Sequence, residues 1–186
     1  RAASRLLAAR PWSLAASLLP EGSVSTDVIV DGIGGLIGDG WPSDPLWICA
    51  VRQGDGRRVV FGRDAHPSVA EAVAASCAIP GFFAPVPIDG ATHIDGGVHS
   101  PTNADLTTRS DLDLVVVSSP MSSERRGPRL ALDQAMRRWA SALLDAEVRK
   151  LRRAGVEVVA FEPDPGVLDA VGLDAMDPSR RAAVAR

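Results

Sequence analysis

Cysteine is scarce in this sequence, and its scarcity excludes two classes of protein. The 186 residues include two cysteines, Cys49 and Cys77, with neither a Cys-x-x-Cys spacing nor a third partner. A small domain held together by disulfides and a structural zinc site both need more cysteines at recognisable spacings. Both cysteines lie among apolar residues, so we expect them to be small buried side chains.

Long apolar runs and basic clusters are also missing. No stretch approaches the roughly 20 apolar residues that a transmembrane helix needs, so any membrane contact is expected to be peripheral. The formal net charge is −3, and the arginines are scattered among 23 acidic residues. This pattern gives no sign of a nucleic-acid surface. With no visible targeting segment, the default location is cytoplasmic or peripheral to a membrane.

Apolar residues make up 46% of the chain, enough at this length for a single core. Residues 46–51 and 58–62 predict two strands of a hairpin, closed by a turn at residues 53–56. Residues 114–117 form a fully apolar run, which predicts a central strand buried on both faces.

The last third of the chain predicts a strand–helix–strand unit. Residues 129–153 have apolar residues at helical spacing and a basic end, and Gly155 is expected to end this helix. Residues 156–161 then predict another strand, and a helix between two strands favours a parallel sheet. From residue 178 onward the sequence predicts a further helix.

The residues around Asp95 carry the most functional information. Asp95 follows the short apolar segment 91–94 and precedes Gly96 and Gly97. The alternation of a strand places His93 and Asp95 on one face, and paired glycines let the backbone turn sharply or approach another group closely. A carboxylate at a strand end is held rigidly yet can be reached by a substrate. The simpler alternative is a turn, because Asp-Gly-Gly is common turn chemistry.

A helix of small residues is predicted upstream of this aspartate. Residues 67–77 consist largely of alanine, valine and serine, with Pro67 at the start and an Ile-Pro-Gly breaker after the end. Such a helix begins and stops at these signals, and its small side chains allow close packing on a sheet.

The order of these features resembles the second half of patatin-like phospholipase domains. The sequence has the small-residue helix, then Ala-Ser-x-Ala-x-Pro, a loop with Phe82 and Phe83, a strand, and Asp-Gly-Gly with Pro101 and Asn103 soon after. The resemblance extends from about residue 12 to residue 121 and more loosely to residue 186, and it is specific at residues 75–103.

The resemblance implies an α/β fold of three layers with a mainly parallel central sheet. It also implies a serine hydrolase that cleaves an ester bond in a lipid or acyl substrate through a Ser-Asp dyad, with Asp95 as the base. Gly96, Gly97 and Asn103 would form the active-site loop, where we expect Asn103 to brace the backbone. No cofactor and no metal are expected.

The resemblance also implies a Gly-rich oxyanion loop and a Gly-x-Ser-x-Gly nucleophile elbow, and the sequence contains no Gly-x-Ser-x-Gly. Gly22-Ser23 lacks the flanking glycines, and residues 32–38 have glycines without serine, which predicts a turn-rich connection. Residues 1–10 predict the tail of an Ala-rich helix. We therefore expect residues 1–186 to form a single partial domain whose nucleophile lies before Arg1; the alternative is an inactive lipid-binding or regulatory module.

Two other catalytic arrangements remain open from the residues alone. His93, Asp95 and His99 offer three metal ligands within seven residues, although no cysteine or glutamate accompanies them. A Ser-His-Asp triad would need Ser100 or Ser118 as the nucleophile on a turn without elbow glycines.

Two further aspartates flank the candidate base. Asp89 lies in an Asp-Gly turn and Asp105 lies beyond the Pro101 loop, so neither is expected to be the base.

Aromatic residues give an ambiguous sign of a lipid surface. Trp12, Trp41, Trp47, Phe82 and Phe83 would suit an interfacial patch, because aromatic rings favour the boundary between water and apolar groups. A place in the core is favoured for Trp47 and the two phenylalanines, and a surface loop for Trp41.

Overall fold

A computed structural model describes residues 20–37, 40–109, 111–122, 131–171 and 178–184, together with Ala16. The chain divides into two compact units, residues 1–99 and 100–186. The helices and strands of the first unit are α1 (Asp27–Ile37), β1 (Ile48–Arg52), β2 (Arg57–Phe61), α2 (Val69–Ser76), β3 (Val86–Ile88) and β4 (Ala91–Asp95). Those of the second are β5 (Leu114–Ser118), α3 (Ala131–Arg153), β6 (Glu157–Phe161), α4 (Pro165–Val171) and α5 (Arg181–Val184). The helix predicted at residues 1–10 lies outside the described residues, and so does Trp12.

The first unit is built on a four-stranded sheet in the order β2-β1-β4-β3, with every pair antiparallel. A turn at residues 53–56 joins β1 to β2, as the sequence predicts. Asp89 and Gly90 join β3 to β4 with φ angles of 50° and 75°, as a tight hairpin turn requires. Strands joined by such short turns run antiparallel, so the mainly parallel central sheet is not confirmed; the mixed α/β class is.

Helix α2 covers one face of this sheet and confirms the predicted small-residue helix. Its N-cap is Ser68, whose side chain accepts a hydrogen bond from the Glu71 N–H while the Glu71 carboxylate accepts one from the Ser68 N–H. This capping box satisfies two backbone donors at the helix start. Fully buried alanines, including Ala72 and Ala75, pack with Phe61 in the core.

Residues 32–37 form the end of helix α1, so the turn-rich connection predicted for residues 32–38 is wrong for these residues. Gly38 lies outside the described residues. The helix contains three glycines, Gly32, Gly34 and Gly35, each of which costs about 1 kcal/mol relative to alanine. Ile29 and Val30 pack against the core cluster that contains the α2 alanines. Tertiary packing of this kind overrides weak helix propensity.

The second unit contains the predicted strand–helix–strand unit, with β5 and β6 paired in parallel. Gly155 ends α3 with a φ of 88°. The N–H of Val156 donates to the Leu151 carbonyl, and the N–H of Gly155 donates to that of Arg152, which is a Schellman ending. The predicted first residues of this helix, 129–130, lie outside the described residues.

Strand β5 is buried on one face only, so the prediction of burial on both faces is wrong. Val115 and Val117 are buried, whereas 49% of Leu114 and 61% of Val116 is exposed. On β6, Val159 and Phe161 are exposed as well, and Val159 is opposite Val116 in the register. The two-stranded sheet therefore has an exposed apolar face, because it alternates buried and exposed side chains.

The described part of the chain contains no helix that is both long and apolar enough to cross a membrane.

Candidate active site

Asp95 lies at the end of β4, as the sequence predicts, and is held by three parts of the first unit. It is the last residue of the strand and is opposite Ala50 of β1. Its backbone N–H donates a hydrogen bond of 2.9 Å to the carbonyl of Ala78, just after helix α2. A side chain on a backbone fixed in this way has a well-defined direction, which a catalytic group needs.

Both glycines after Asp95 are required by close contacts. A Cβ at Gly96 would collide with the backbone carbonyl of Cys49 on the neighbouring strand. The N–H of Gly97 donates to Oδ1 of Asp95 at 2.6 Å, and a Cβ at Gly97 would lie 2.9 Å from that same oxygen. Glycine therefore lets the chain fold back over the carboxylate that it binds.

Burial raises the pKa of Asp95 above its ordinary value, and the hydrogen bond from Gly97 opposes part of this effect. Desolvation destabilises the charged form of a carboxylate, whereas an N–H donor stabilises it. The resulting carboxylate holds a proton more tightly than an exposed aspartate does, and a higher proton affinity favours a general base.

Cys77 lies near this carboxylate, and the expectation that both cysteines are buried is wrong for it. Cys77 is exposed and Cys49 is half-buried. Partial burial of the thiol, and then the negative charge of Asp95, raise the pKa of Cys77. Because the charge of Asp95 affects this pKa, the sulfur of Cys77 lies within electrostatic range of the aspartate.

His93 shares the strand face with Asp95, but its ring packs on the core. His93 is 4% exposed, and its ring contacts the Phe61 ring edge-on, with 5.4 Å between the two ring centroids. Burial lowers the pKa of His93, and the nearby charge of Arg52 lowers it further. No group of three or more metal-ligating residues occurs in the described ranges, so His93, Asp95 and His99 do not form the alternative metal site there.

Ser100 has a structural role that does not suit a nucleophile. It is fully buried, and its Oγ accepts hydrogen bonds from the N–H groups of Asn103 (3.1 Å) and Thr102 (3.4 Å). Ser118, the other serine of the triad alternative, lies at the exposed end of β5 in the second unit.

Asn103 belongs to the second unit and braces its own loop. Its backbone has a φ of 49°, and its amide donates to the Ser100 carbonyl at 2.5 Å. Asparagine tolerates this left-handed conformation better than most residues do. Of the other flanking acids, Asp89 forms the hairpin turn and Asp105 pairs with Lys150 at 3.3 Å.

Glu147 holds the loop on either side of Asn103, a role that is not predicted from the sequence. Its Oε2 accepts hydrogen bonds from the Thr102 hydroxyl at 2.6 Å and from the Ala104 N–H at 3.0 Å, and the residue is 2% exposed. Glu147 follows Leu144 by three residues and precedes Leu151 by four. That helical spacing was the one sequence signal that Glu147 belongs to the buried face of α3.

Two of the aromatic residues are more exposed than their sequence context predicts. Phe82 is 55% and Trp47 is 38% exposed, so a core position is wrong for both. Phe83 is half-buried and packs against the core cluster. Trp41 is also half-buried, with its indole N–H bound to the Pro67 carbonyl at 2.5 Å.

A family model described as patatin-like phospholipase matches residues 5–108, more than half of the chain. The matched range includes Asp95, both glycines and Asn103. A search of curated proteins found no match.

Proposed function

Because the chain belongs to the patatin-like phospholipase family, we propose that it supplies the catalytic base for hydrolysis of an ester bond in a lipid or acyl substrate. The base is Asp95, acting in a Ser-Asp dyad. The observation that carries this proposal is a carboxylate fixed at a strand end, whose pKa is raised by burial and which accepts the Gly97 N–H. Family membership supports the class of reaction, since the family is generally hydrolytic.

In the proposed mechanism Asp95 removes the proton of the serine hydroxyl as its oxygen attacks the ester carbonyl. The proton then passes to the leaving alcohol, and an acyl-serine intermediate remains. Asp95 next takes a proton from water as the water oxygen attacks the acyl group. It returns that proton to the serine oxygen when the bond between the serine and the acyl group breaks and the acid is released. Because Gly97 holds Oδ1, Oδ2 is the oxygen that takes the proton.

We propose that the serine comes from a segment outside the printed sequence, which contains no Gly-x-Ser-x-Gly. The exposed apolar face of β5 and β6 supports a partial domain, because parallel sheets are normally covered on both faces. Leu114, Val116, Val159 and Phe161 would then be covered by other elements of the domain. The whole domain would have the three layers and mainly parallel sheet that the family resemblance implies.

The second candidate is a patatin-like module that binds lipid or regulates a partner without catalysis. The printed sequence contains no Gly-x-Ser-x-Gly, and a module that has lost its nucleophile would lack an activated serine in the full-length protein as well. A fluorophosphonate, which reacts with activated serines, distinguishes the two candidates in the full-length protein. Labelling outside the printed residues supports the enzyme; no labelling together with no hydrolysis supports the module. Labelling of a serine within the printed residues contradicts the proposed position of the nucleophile.

The base is tested by Asp95→Asn in the full-length protein, with hydrolysis of a p-nitrophenyl acyl ester as the measurement. We expect the rate to fall by about 10²- to 10⁴-fold, the contribution of a general base. The matched control is Asp145→Asn, which changes an exposed aspartate on α3. Hydrolysis that survives Asp95→Asn undiminished would rule out Asp95 as the base.

We also propose peripheral contact with a lipid surface through a patch formed by Val24, Ile79 and Phe82, called the Phe82 patch. These residues are 39%, 45% and 55% exposed. They are adjacent, because the Val24 N–H donates to the Phe82 carbonyl and the Phe82 N–H donates to the Ile79 carbonyl. An exposed apolar cluster with an aromatic ring suits the membrane interface, where a lipid substrate would be found.

A further inference from the structure

A cavity of about 360 Å³ opens in the first unit, and its walls do not include the turn formed by Asp95, Gly96 and Gly97, called the Asp95 loop. Its walls include Ile88, Asp89, Ala91 and His93, and no residue from Asp95 onward. His93 is therefore the wall residue nearest to Asp95 along β4. Two residues of a strand separate their Cα atoms by about 7 Å. The volume lies within the range of small-molecule sites.

Basic residues from three adjacent strands lie side by side at this cavity. In the sheet register His93 of β4 is opposite Arg52 of β1, and Arg52 is opposite Arg57 of β2. Directly opposed residues of antiparallel strands project from the same face, with about 5 Å between their Cβ atoms. All three line the cavity, and Arg58 lines it as well.

The cavity has an excess of positive charge. Arg52 donates two hydrogen bonds to Asp55, at 2.9 and 2.6 Å, which fix the position of its guanidinium group. Among the described residues the Arg57 guanidinium has no ion-paired carboxylate. The acidic wall residues do not balance this charge. Asp64 binds Arg63 and the Val60 N–H, and Asp89 lies exposed in the hairpin turn.

The ring of His93 forms part of the cavity wall. Its Nδ1 is inaccessible to solvent, so a ligand in the cavity does not bond to that nitrogen. The ring therefore supplies contact surface to the ligand.

Apolar residues complete the cavity wall. Val59, Phe61 and Ile88 line it, and Phe61 and Ile88 are almost fully buried. The cavity is open to solvent and the Arg52 side chain is 40% exposed, so an anion can reach the guanidinium groups from solution.

We propose that this cavity binds a phosphate group, with Arg57 and Arg52 donating to its oxygens and the ring of His93 lining the wall. Arginine matches phosphate geometry through paired N–H donors. The phosphate belongs either to a soluble phosphate compound or to a lipid headgroup, since both present the same oxygens. The site does not depend on the proposed hydrolysis, because no residue of the Asp95 loop lines it.

The test is calorimetric titration of the full chain with inorganic phosphate, comparing the parent with Arg57→Gln. Loss of a charged hydrogen-bond donor is expected to weaken binding by about tenfold or more. The matched control is Arg149→Gln, which removes an exposed arginine on α3 and should leave binding unchanged. Absence of phosphate binding by the parent overturns the proposal, and so does equal binding by the parent and Arg57→Gln.

A second measurement follows His93 by nitrogen NMR of the imidazole during the phosphate titration. Movement of its resonances, with those of His99 as reference because that histidine is not part of the cavity wall, supports contact with the ligand. Resonances of His93 that do not move at saturating phosphate contradict it.

Vesicles distinguish the two sources of phosphate once binding is shown. Phosphatidylcholine vesicles are compared with vesicles that also contain phosphatidic acid, whose headgroup is a phosphomonoester. If Arg57→Gln removes the preference for phosphatidic acid, the ligand is a lipid headgroup. If Arg57→Gln loses only inorganic phosphate binding, the ligand is a soluble phosphate compound.

Discussion

The backbone N–H of Gly97 donates to the Asp95 carboxylate at 2.6 Å, across two residues of the same turn. This donor stabilises the charged carboxylate, while burial of Asp95 favours its neutral form more strongly and raises its pKa. The protein therefore keeps an aspartate whose ionisation is unfavourable for folding. That conflict between stability and proton affinity is common at catalytic sites.

Replacing Asp95 with asparagine should raise thermal stability near pH 7. A carboxyl group whose pKa is higher in the folded than in the unfolded state lowers stability as pH rises through the folded value, and below its ordinary pKa of about 3.9 it has no such effect. The asparagine side chain would keep an oxygen for the Gly97 N–H without a charge. We expect the variant to melt at a higher temperature than the parent at pH 7, and the difference to shrink at pH 3.

Melting curves of the parent, Asp95→Asn and Asp145→Asn at the two pH values check this expectation. Asp145→Asn changes an exposed aspartate and should not raise the melting temperature at pH 7. A stability difference for Asp95→Asn that is the same at both pH values would mean that the charge of Asp95 is not its cause.

Alanine substitutions should separate the roles of the two glycines. Gly96→Ala places a methyl group against the Cys49 carbonyl and is expected to lower the free energy of unfolding by about 1–3 kcal/mol. In Gly97→Ala the new methyl group would lie 2.9 Å from Oδ1 of Asp95 and would displace the carboxylate. We therefore expect a large loss of kcat and a smaller loss of stability. Gly54→Ala is the control, because no atom lies within 4 Å of its new Cβ.

Urea denaturation and ester hydrolysis of the full-length variants measure these effects. Gly54→Ala should change stability by less than about 1 kcal/mol. Equal stability losses in all three variants would contradict the assigned contacts.

The local elements around Asp95 were predictable because their signals are local. Residues 67–77 have a start signal and a breaker, and residues 91–97 have strand alternation followed by glycines, and the structure has α2 and β4 there. Helix α1 was missed because its stability comes from the packing of Ile29 and Val30 against the core. The glycine content of residues 32–37, taken alone, predicts a turn and not a helix.

Longer-range features depend on pairing that the sequence does not specify. Glu147 contacts Thr102 and Ala104, more than 40 residues earlier, so nothing near it in the sequence indicates its partners. The cavity beside His93 likewise exists because the register places Arg52 between His93 and Arg57. Register follows from turns and packing together, which is why the alignment of these three basic residues was not predicted.

The thiol of Cys77 should report the charge of Asp95. Burial and the negative charge of Asp95 raise the pKa of Cys77, and the thiolate is the form that reacts with alkylating agents. Asp95→Asn removes the charge, so the midpoint of the pH–rate profile for Cys77 alkylation should move to lower pH. Peptide mass spectrometry after iodoacetamide treatment separates Cys77 from Cys49, and an unchanged or higher midpoint would contradict the proximity of the two groups.

Glu147→Ala should destabilise the loop that contains Asn103. The change removes the acceptor of the Thr102 hydroxyl and of the Ala104 N–H, and a buried N–H without a partner costs about 1–3 kcal/mol. Glu147→Gln keeps an oxygen that accepts both bonds and should cost less. Asp145→Ala on the same helix is the control for helix propensity. Equal losses for Glu147→Ala and Asp145→Ala in urea denaturation would show that Glu147 does not stabilise the loop.

Phe82→Ala should weaken binding to phosphatidylcholine vesicles, measured by sedimentation, while leaving the fold intact. The ring of Phe82 is 55% exposed, so its loss in solution should change the free energy of unfolding by less than about 0.5 kcal/mol. Burial of a phenylalanine side chain in lipid would account for about a tenfold change in binding. Phe83→Ala is the matched control, because the Phe83 ring packs edge-on against Phe82 at 4.8 Å and against the core. It should lower stability more than Phe82→Ala and vesicle binding less, and the reverse order would exclude the Phe82 patch as the membrane contact.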